Sequence, residues 1–345
     1  MRLLCAGVAA WVAVALPAQA ASVGDDPAGN LIRAAAASRT TTYEGVMVYR
    51  GDNGDRFEVL RVQHRYQDGS ERERLVALTG EPRQLLRIDN KLICILPKDQ
   101  MVSLARPGLR GFLTQLNADR VQMLGHWYDF RDLGLGRIAG RMCNGVAVLP
   151  RDEYRYGYEV WADRDTGLPL KISLVGSRGE VLEQVMFTDI SFPASPASIP
   201  DSVFTAAVDS SKFKAVAQDL PTLDTGATPP GKPQVSFDQL PPGYHVVAHE
   251  DRPLSNGQPG QMEQLLLSDG LSAVSVFSEI EQHAAPDKLF RGVSHLGPVQ
   301  AYGRVIGSYH ITIVGEVPPQ AIRMIGDGAH PVLPLPTAPA EPATP

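Results

Sequence analysis

The sequence predicts a mostly β, α+β protein of two domains: a curled antiparallel sheet over one or two helices, then a smaller α+β domain. Three observations carry that class. Short runs of β-forming residues are separated by turn pairs such as Asn53-Gly54, Asp68-Gly69 and Asp89-Asn90, which join antiparallel neighbours. About nine or ten such runs occur up to Ile190, more strands than an open sheet usually holds flat, so the sheet must curl. The composition then shifts to Pro, Ala, Ser, Thr and Asp from Pro193 to Pro233 before a second set of strands begins.

Met1-Arg2 is a short cationic start, Leu3–Leu16 an apolar run and Ala18-Gln19-Ala20 a small-x-small cleavage site, the pattern of a secretory signal over residues 1–20. The run is shorter than the roughly twenty residues a membrane-spanning helix needs. Cys5 lies at its front, away from the cleavage point, which argues against a lipid anchor. The mature chain is expected in an exported compartment.

Asp25-Asp26-Pro27 reads as an N-cap with proline in the first turn, opening an Ala-rich helix over Leu31–Ala37. Tyr43–Tyr49, Phe57–Tyr66, Arg72–Leu78, Gln84–Ile88 and Leu92–Leu96 follow as strands. Leu109, Phe112, Leu113 and Leu116 then recur at i, i+3, i+4 and i+7 after Pro107, the period of a short amphipathic helix. Strands resume around Arg137–Leu149, Tyr154–Ala162, Leu168–Val175 and Val181–Ile190. These elements define a first domain over 21–212, with a linker over 213–234. The second domain, 235–326, reads as strands at Tyr244–His249, Met262–Leu267, Ala273–Glu279, Val299–Ile306 and Tyr309–Val314, closed by a helix from Pro318 or Pro319 to Ile325. Pro, Ala and Thr dominate 327–345, which reads as a disordered tail.

Net charge is −6, and the arginines are interleaved with acids, which argues against a nucleic-acid surface. Cys94 and Cys143 are the cysteines beyond the signal. In an oxidising compartment an even pair invites a disulfide, with two buried thiols as the open alternative. Neither a CxxC motif nor a zinc-ligand spacing is present, so no metal and no cofactor is expected. The chain also lacks GxSxG, HExxH, P-loop and EF-hand patterns. Gly134-Leu135-Gly136-Arg137-Ile138-Ala139-Gly140 has GxGxxxG spacing and precedes a strand where a dinucleotide site requires a helix. Asp163 and Asp165, with Glu159, are the one acid/base candidate for an envelope hydrolase. Both aspartates flank a glycine turn, however, where aspartate ordinarily bonds backbone.

Arg50, Arg56, Arg61, Arg65, Arg72, Arg74, Arg83 and Arg87 offer an anion site. Glu58, Glu71 and Glu73 sit among them and favour cross-strand ion pairs instead. Tyr154, Tyr156 and Tyr158 share one face of a strand. Turned into the curl, that face would line an apolar cavity for an acyl chain, with the helix near Leu109–Leu116 as its lid; a filled core is the plainer alternative.

Several segments together resemble the MucB/RseB family of periplasmic regulators. They are Tyr43-Glu44-Gly45-Val46-Met47-Val48-Tyr49, His64, Asp68-Gly69-Ser70-Glu71-Arg72-Glu73-Arg74-Leu75 and Gly80-Glu81-Pro82-Arg83. Tyr128-Asp129-Phe130, Gly136-Arg137-Ile138-Ala139-Gly140-Arg141, Trp161-Ala162-Asp163 and Thr166-Gly167-Leu168-Pro169 continue the match. Leu240-Pro241-Pro242-Gly243-Tyr244, Ser268-Asp269-Gly270-Leu271, Ser275-Val276-Phe277 and Thr312-Ile313-Val314-Gly315-Glu316-Val317-Pro318 extend it through the second domain. Gln84-Leu85-Leu86 and the Pro-rich tail depart from the pattern.

The resemblance implies an unclosed β-barrel over helices, similar to the lipoprotein carriers LolA and LolB, joined to a smaller C-terminal domain. It implies a non-enzymatic protein that binds the periplasmic part of a transmembrane anti-sigma factor similar to RseA or MucA. Binding would shield that factor from the site-1 protease until lipopolysaccharide or lipoprotein acyl chains release it. On this footing Ser268, Asp269, Gly270, Leu271, Ser275, Val276, Phe277, Thr312, Val314, Gly315 and Glu316 are nominated for partner contact. Phe112, Leu113, Leu116, Tyr156 and Tyr158 are nominated for an acyl chain. A homo-oligomer stays open, and a lipid carrier without a signalling partner is the competing reading.

Overall fold

The computed structural model describes residues 26–51, 56–98, 113, 116–205, 211–219, 233–253, 261–280 and 290–332 of the 345-residue chain. The expected signal sequence lies outside the described residues, as do 220–232 and 333–345.

Helix α1 (Pro27–Thr40) starts where its N-cap chemistry dictates: the Asp26 carboxylate accepts from Ala28 N at 3.1 Å and Gly29 N at 3.0 Å, and Pro27 loses no bond in the first turn. Leu31, Ala34 and Ala35 are its buried stripe. There follow β1 (Tyr43–Gly51), β2 (Arg56–Gln67), β3 (Ser70–Ala77), β4 (Gln84–Ile88), β5 (Lys91–Pro97), α2 (Ala118–Leu124) and β6 (Tyr128–Ile138). The first domain is completed by β7 (Arg141–Pro150), β8 (Gly157–Asp163), β9 (Pro169–Val175), β10 (Val181–Ser191) and β11 (Phe213–Asp219).

These eleven strands form one antiparallel sheet in the order β11-β5-β4-β3-β2-β1-β10-β9-β8-β7-β6. Its edges are β6 and β11, so it curls without closing, as expected. The core that α1 shares with this sheet holds Tyr43, Met47, Val62, Val148, Tyr158, Val160, Leu170, Ile172, Leu174 and Phe187.

The second domain is a six-stranded antiparallel sheet in the order β13 (His245–Pro253), β14 (Gln261–Ser268), β15 (Ala273–Ile280), β18 (Tyr309–Gly315), β17 (Val299–Ile306) and β16 (Gly292–Leu296). Helix α3 (Pro319–Gly328) packs Ala321, Ile322 and Ile325 on one of its faces. A two-stranded ladder of β12 (Val235–Phe237) and β19 (Ala329–Pro331) closes the domain.

Five expectations need correction. Phe213–Asp219, placed in the linker, is the edge strand β11, paired with β5 residue by residue from Phe213 opposite Pro97 to Asp219 opposite Lys91. Its Lys-Ala-Val-Ala-Gln run carries little hydrophobic signal because none of its side chains from Phe213 to Ala217 is fully buried, as suits a short edge strand carrying a lysine. Residues 327–331, placed in the tail, finish α3 and form β19 against β12. Strand β8 starts at Gly157 and not at Tyr154, because the chain bends there to bury Arg155. Strand β6 begins already at Tyr128, hidden in the sequence by the glycines that interrupt its alternation. Helix α2 has no counterpart in the sequence pattern; Asn117 caps it through Arg120 N at 2.8 Å, but seven residues are too few to display a period. The helix expected near Leu109–Leu116 lies largely outside the described residues.

Candidate functional site

The nominated residues of the second domain separate into two places. Register puts Ser275 directly opposite Val314 and Phe277 opposite Thr312, so these four half-buried side chains form one patch on a sheet face. The opposite face is covered by α3 and buries Val274, Val276, Ile311 and Ile313; Val276 is therefore a core residue. The patch continues to Glu279 opposite His310, whose Nδ1 lies 3.3 Å from Glu279 Oε1 and whose Nε2 lies 2.9 Å from the Phe290 carbonyl. Gly315 has no positive φ. It is needed because a Cβ there would stand 2.7 Å from Val274 Cγ2. Glu316 is half-buried beside Tyr156 and Tyr158.

Ser268, Asp269, Gly270 and Leu271 instead form the turn between β14 and β15, and that turn is pressed into the first domain. Leu271 belongs to the first domain's core cluster with Leu124, Tyr128 and Tyr158. One Asp269 oxygen shapes the turn, accepting from Leu271 N at 2.9 Å, Ser272 N at 2.8 Å and Ser272 Oγ at 3.1 Å. The other accepts from Arg155 Nε at 2.6 Å and from the Tyr128 hydroxyl at 3.1 Å, both from the first domain. In this conformation these four residues face inward, so they do not present a surface to a partner.

Arg155 is the centre of the joint. Its side chain is fully buried, as is that of Asp269. It also donates to Asp152 and to the Pro242 carbonyl. The rings of Trp127, Tyr128 and Tyr244 surround its guanidinium at 5.3, 5.8 and 5.3 Å. Burial, and then the Asp269 carboxylate, push the Tyr128 hydroxyl well above the ordinary tyrosine range, so it stays a donor. Gly243, at φ 84°, passes so close that a Cβ would lie 2.4 Å from the Trp127 ring. The sequence reading missed Arg155, which sits 114 residues from Asp269 and belongs to no motif.

Of the residues nominated for an acyl chain, Phe112 lies outside the described residues. Leu113, Leu116 and Tyr158 are buried in the first domain's core, and Tyr156 packs against it. Burial pushes the Tyr156 hydroxyl up to about 12.

The remaining candidates have structural roles. Asp163 is held by Arg141 Nε and Nη2 at 2.9 and 3.0 Å and accepts from Thr166 N and Oγ1, which fixes the turn into β9. Burial opposes its ionisation, but these donors prevail and hold the carboxyl below its ordinary value. Arg65 and Arg72 pair with Asp201, Arg83 with Glu58 and Arg87 with Glu71, as expected for a face laced with ion pairs. Cys94 and Cys143 are free, buried thiols on strands β5 and β7, with seven other strands between them in the sheet, so the disulfide is not formed. Among the described residues no cluster of His, Cys, Asp and Glu fits a metal ion, and no helix is long and apolar enough to cross a membrane.

The MucB/RseB N-terminal domain matches residues 26–216, and the MucB/RseB C-terminal domain matches residues 230–330. The sigma factor AlgU regulatory protein MucB of Pseudomonas aeruginosa is 34% identical over 314 residues, covering 88% of this chain and 90% of that protein. The sigma-E factor regulatory protein RseB of Salmonella typhimurium is 31% identical, covering 92% of this chain and 96% of its own. The solved complex of Pseudomonas aeruginosa MucA and MucB is similar with a TM-score of 0.66 at 29% identity, covering 88% of this chain and 98% of the other. A crystal structure of MucB with MucA(peri) gives the same score, with 89% of this chain covered and 99% of the other. With both domains matched in order and nearly end to end, the chain belongs to the MucB/RseB family.

Proposed function

We propose that this protein is a periplasmic negative regulator of an envelope-stress sigma factor. It works by binding and not by catalysis: it grips the periplasmic segment of a membrane-spanning anti-sigma factor and shields it from the site-1 protease. Lipopolysaccharide or lipoprotein acyl chains release that grip. The observation that carries this reading is the match of both domains to a protein whose solved complex contains the MucA periplasmic segment. A lipid carrier would have no use for the second domain.

The patch of Ser275, Phe277, Thr312 and Val314 supports the reading physically. It is a half-buried, mixed apolar and hydroxyl face of a sheet, with Phe277 as its one large apolar side chain. The test is co-purification of the mature protein with the periplasmic segment of the host's anti-sigma factor, with and without lipopolysaccharide. A stable complex dissociated by lipid is expected, and Phe277→Asp should weaken it by about tenfold or more with unchanged thermal stability. Failure to form any complex would overturn the regulator and leave the lipid carrier.

A further inference from the structure

The turn from Ser268 to Ser272 serves both domains at once. Its Leu271 side chain is part of the first domain's core, and the strand it leads into, β15, carries Ser275 and Phe277. Resting on the regulator reading above, we propose that Leu271 is an internal plug: a hydrocarbon chain entering the first domain's core takes its place, and the displaced turn alters the patch on β15.

Three observations carry the argument. First, Leu271 shares one packed cluster with Leu113, Leu116, Leu124, Tyr128 and Tyr158, so added hydrocarbon must expel something already there. Leu271 is the member that the second domain supplies, tethered only through its turn. Second, the turn cannot shift gradually. Asp269 fixes Leu271 and Ser272 with one oxygen and Arg155 with the other. Moving Leu271 therefore pulls the carboxylate from a fully buried guanidinium, and two buried charges separate tolerably only if water reaches both. The joint is either clasped or open, which is the bistable element that a coupled site requires. Third, Ser272 and Ala273 lead directly into the patch, two to five residues before Ser275 and Phe277 along the chain. A turn that rotates at its base re-aims those side chains.

Linkage makes the coupling reciprocal. A partner that binds the clasped form must weaken hydrocarbon binding by the factor with which hydrocarbon weakens the partner.

The joint carries its own reporter. Of the chain's three tryptophans, Trp11 lies in the expected signal sequence, which leaves Trp127 under Arg155 and Trp161. In a full mature chain carrying Trp161→Phe, titration with sodium dodecanoate should shift Trp127 emission to the red as water enters. Adding Leu271→Ala, which leaves nothing to displace, should abolish the shift. Asp269→Asn, which keeps the turn acceptor and removes the charge, should start red-shifted without any ligand.

In parallel, affinity for the anti-sigma periplasmic segment is measured with and without dodecanoate. We expect a loss of about tenfold or more in the parent and about twofold or less with Leu271→Ala. A Trp127 response that persists undiminished in Leu271→Ala would overturn the plug, whether or not the segment binds. A response that disappears with Leu271→Ala, in a protein that binds no segment, would uphold the joint and refute the regulator.

Discussion

Asp163 shows what single residues disclose and what they hide. In the sequence it is one of two aspartates beside a glycine, a position where a turn former outweighs a catalytic candidate. The turn chemistry prevails because Arg141 and Thr166 consume both carboxylate oxygens. Its folded carboxyl titrates below the ordinary value of 3.8. A carboxyl lowered on folding contributes stability above its unfolded value, and that contribution is lost as pH falls through the folded one. Asp163→Asn should therefore destabilise most at neutral pH, by about 1 to 3 kcal/mol for a buried acceptor bonded to a charged donor. Urea midpoints of parent and variant should converge below pH 3.8, as the parent carboxyl protonates. A constant gap across that range would refute the assignment. Arg155 had no comparable signal: a lone arginine between tyrosines reads as solvated, and only the fold brings it to Asp269.

Among elements, legibility follows local chemistry. The hairpins at Asp68-Gly69 and Asp89-Asn90 turn where the sequence places them, because Asp68, Gly69 and Asp89 adopt the positive φ those turns require. The strands β14, β15, β17 and β18 follow their alternation closely, while β13 runs on to Pro253 past a bulge between Val246 and Ala248. Elements whose stability is supplied by a distant neighbour were not legible: β11 exists because β5 offers an edge, and β12 because β19 does. Edge strand β11 also makes a prediction. Val216 lies opposite Cys94, whose thiol is buried and pushed above its ordinary value by that burial. Cys143, buried in the main core, is pushed up to about 11. At pH 8 both thiols should resist iodoacetamide in the native protein, with intact mass showing no disulfide. Val216→Asp should loosen β11 and accelerate labelling of Cys94 by about tenfold, with Cys143 still protected. Equal acceleration at both would mean global unfolding and refute β11 as a separate edge.

At the scale of the whole molecule, the sequence correctly separates two sets of strands, yet the composition shift at Pro193–Pro233 suggests more independence than the structure has. Two apolar exchanges stitch the domains: Leu271 of the second sits in the first core, and Tyr154 of the first packs against the second. Between them lies the buried pair of Arg155 and Asp269. Such a joint makes the two cores depend on each other, since opening it exposes apolar surface on both sides and strands two charges. Calorimetry should accordingly show one cooperative unfolding transition. Arg155→Met leaves Asp269 buried without its ion partner, at a cost of about 3 to 5 kcal/mol. That cost falls where the two cores meet, because Arg155 touches Trp127 and Tyr128 of the first domain and Tyr244 and Pro242 of the second. The variant should therefore resolve into two transitions, the second domain and the first melting apart, with far-ultraviolet circular dichroism unchanged at low temperature. If a single transition survives, merely moved to lower temperature, the charge pair is an ordinary core contact, and coupling between the domains must run through the apolar exchanges alone.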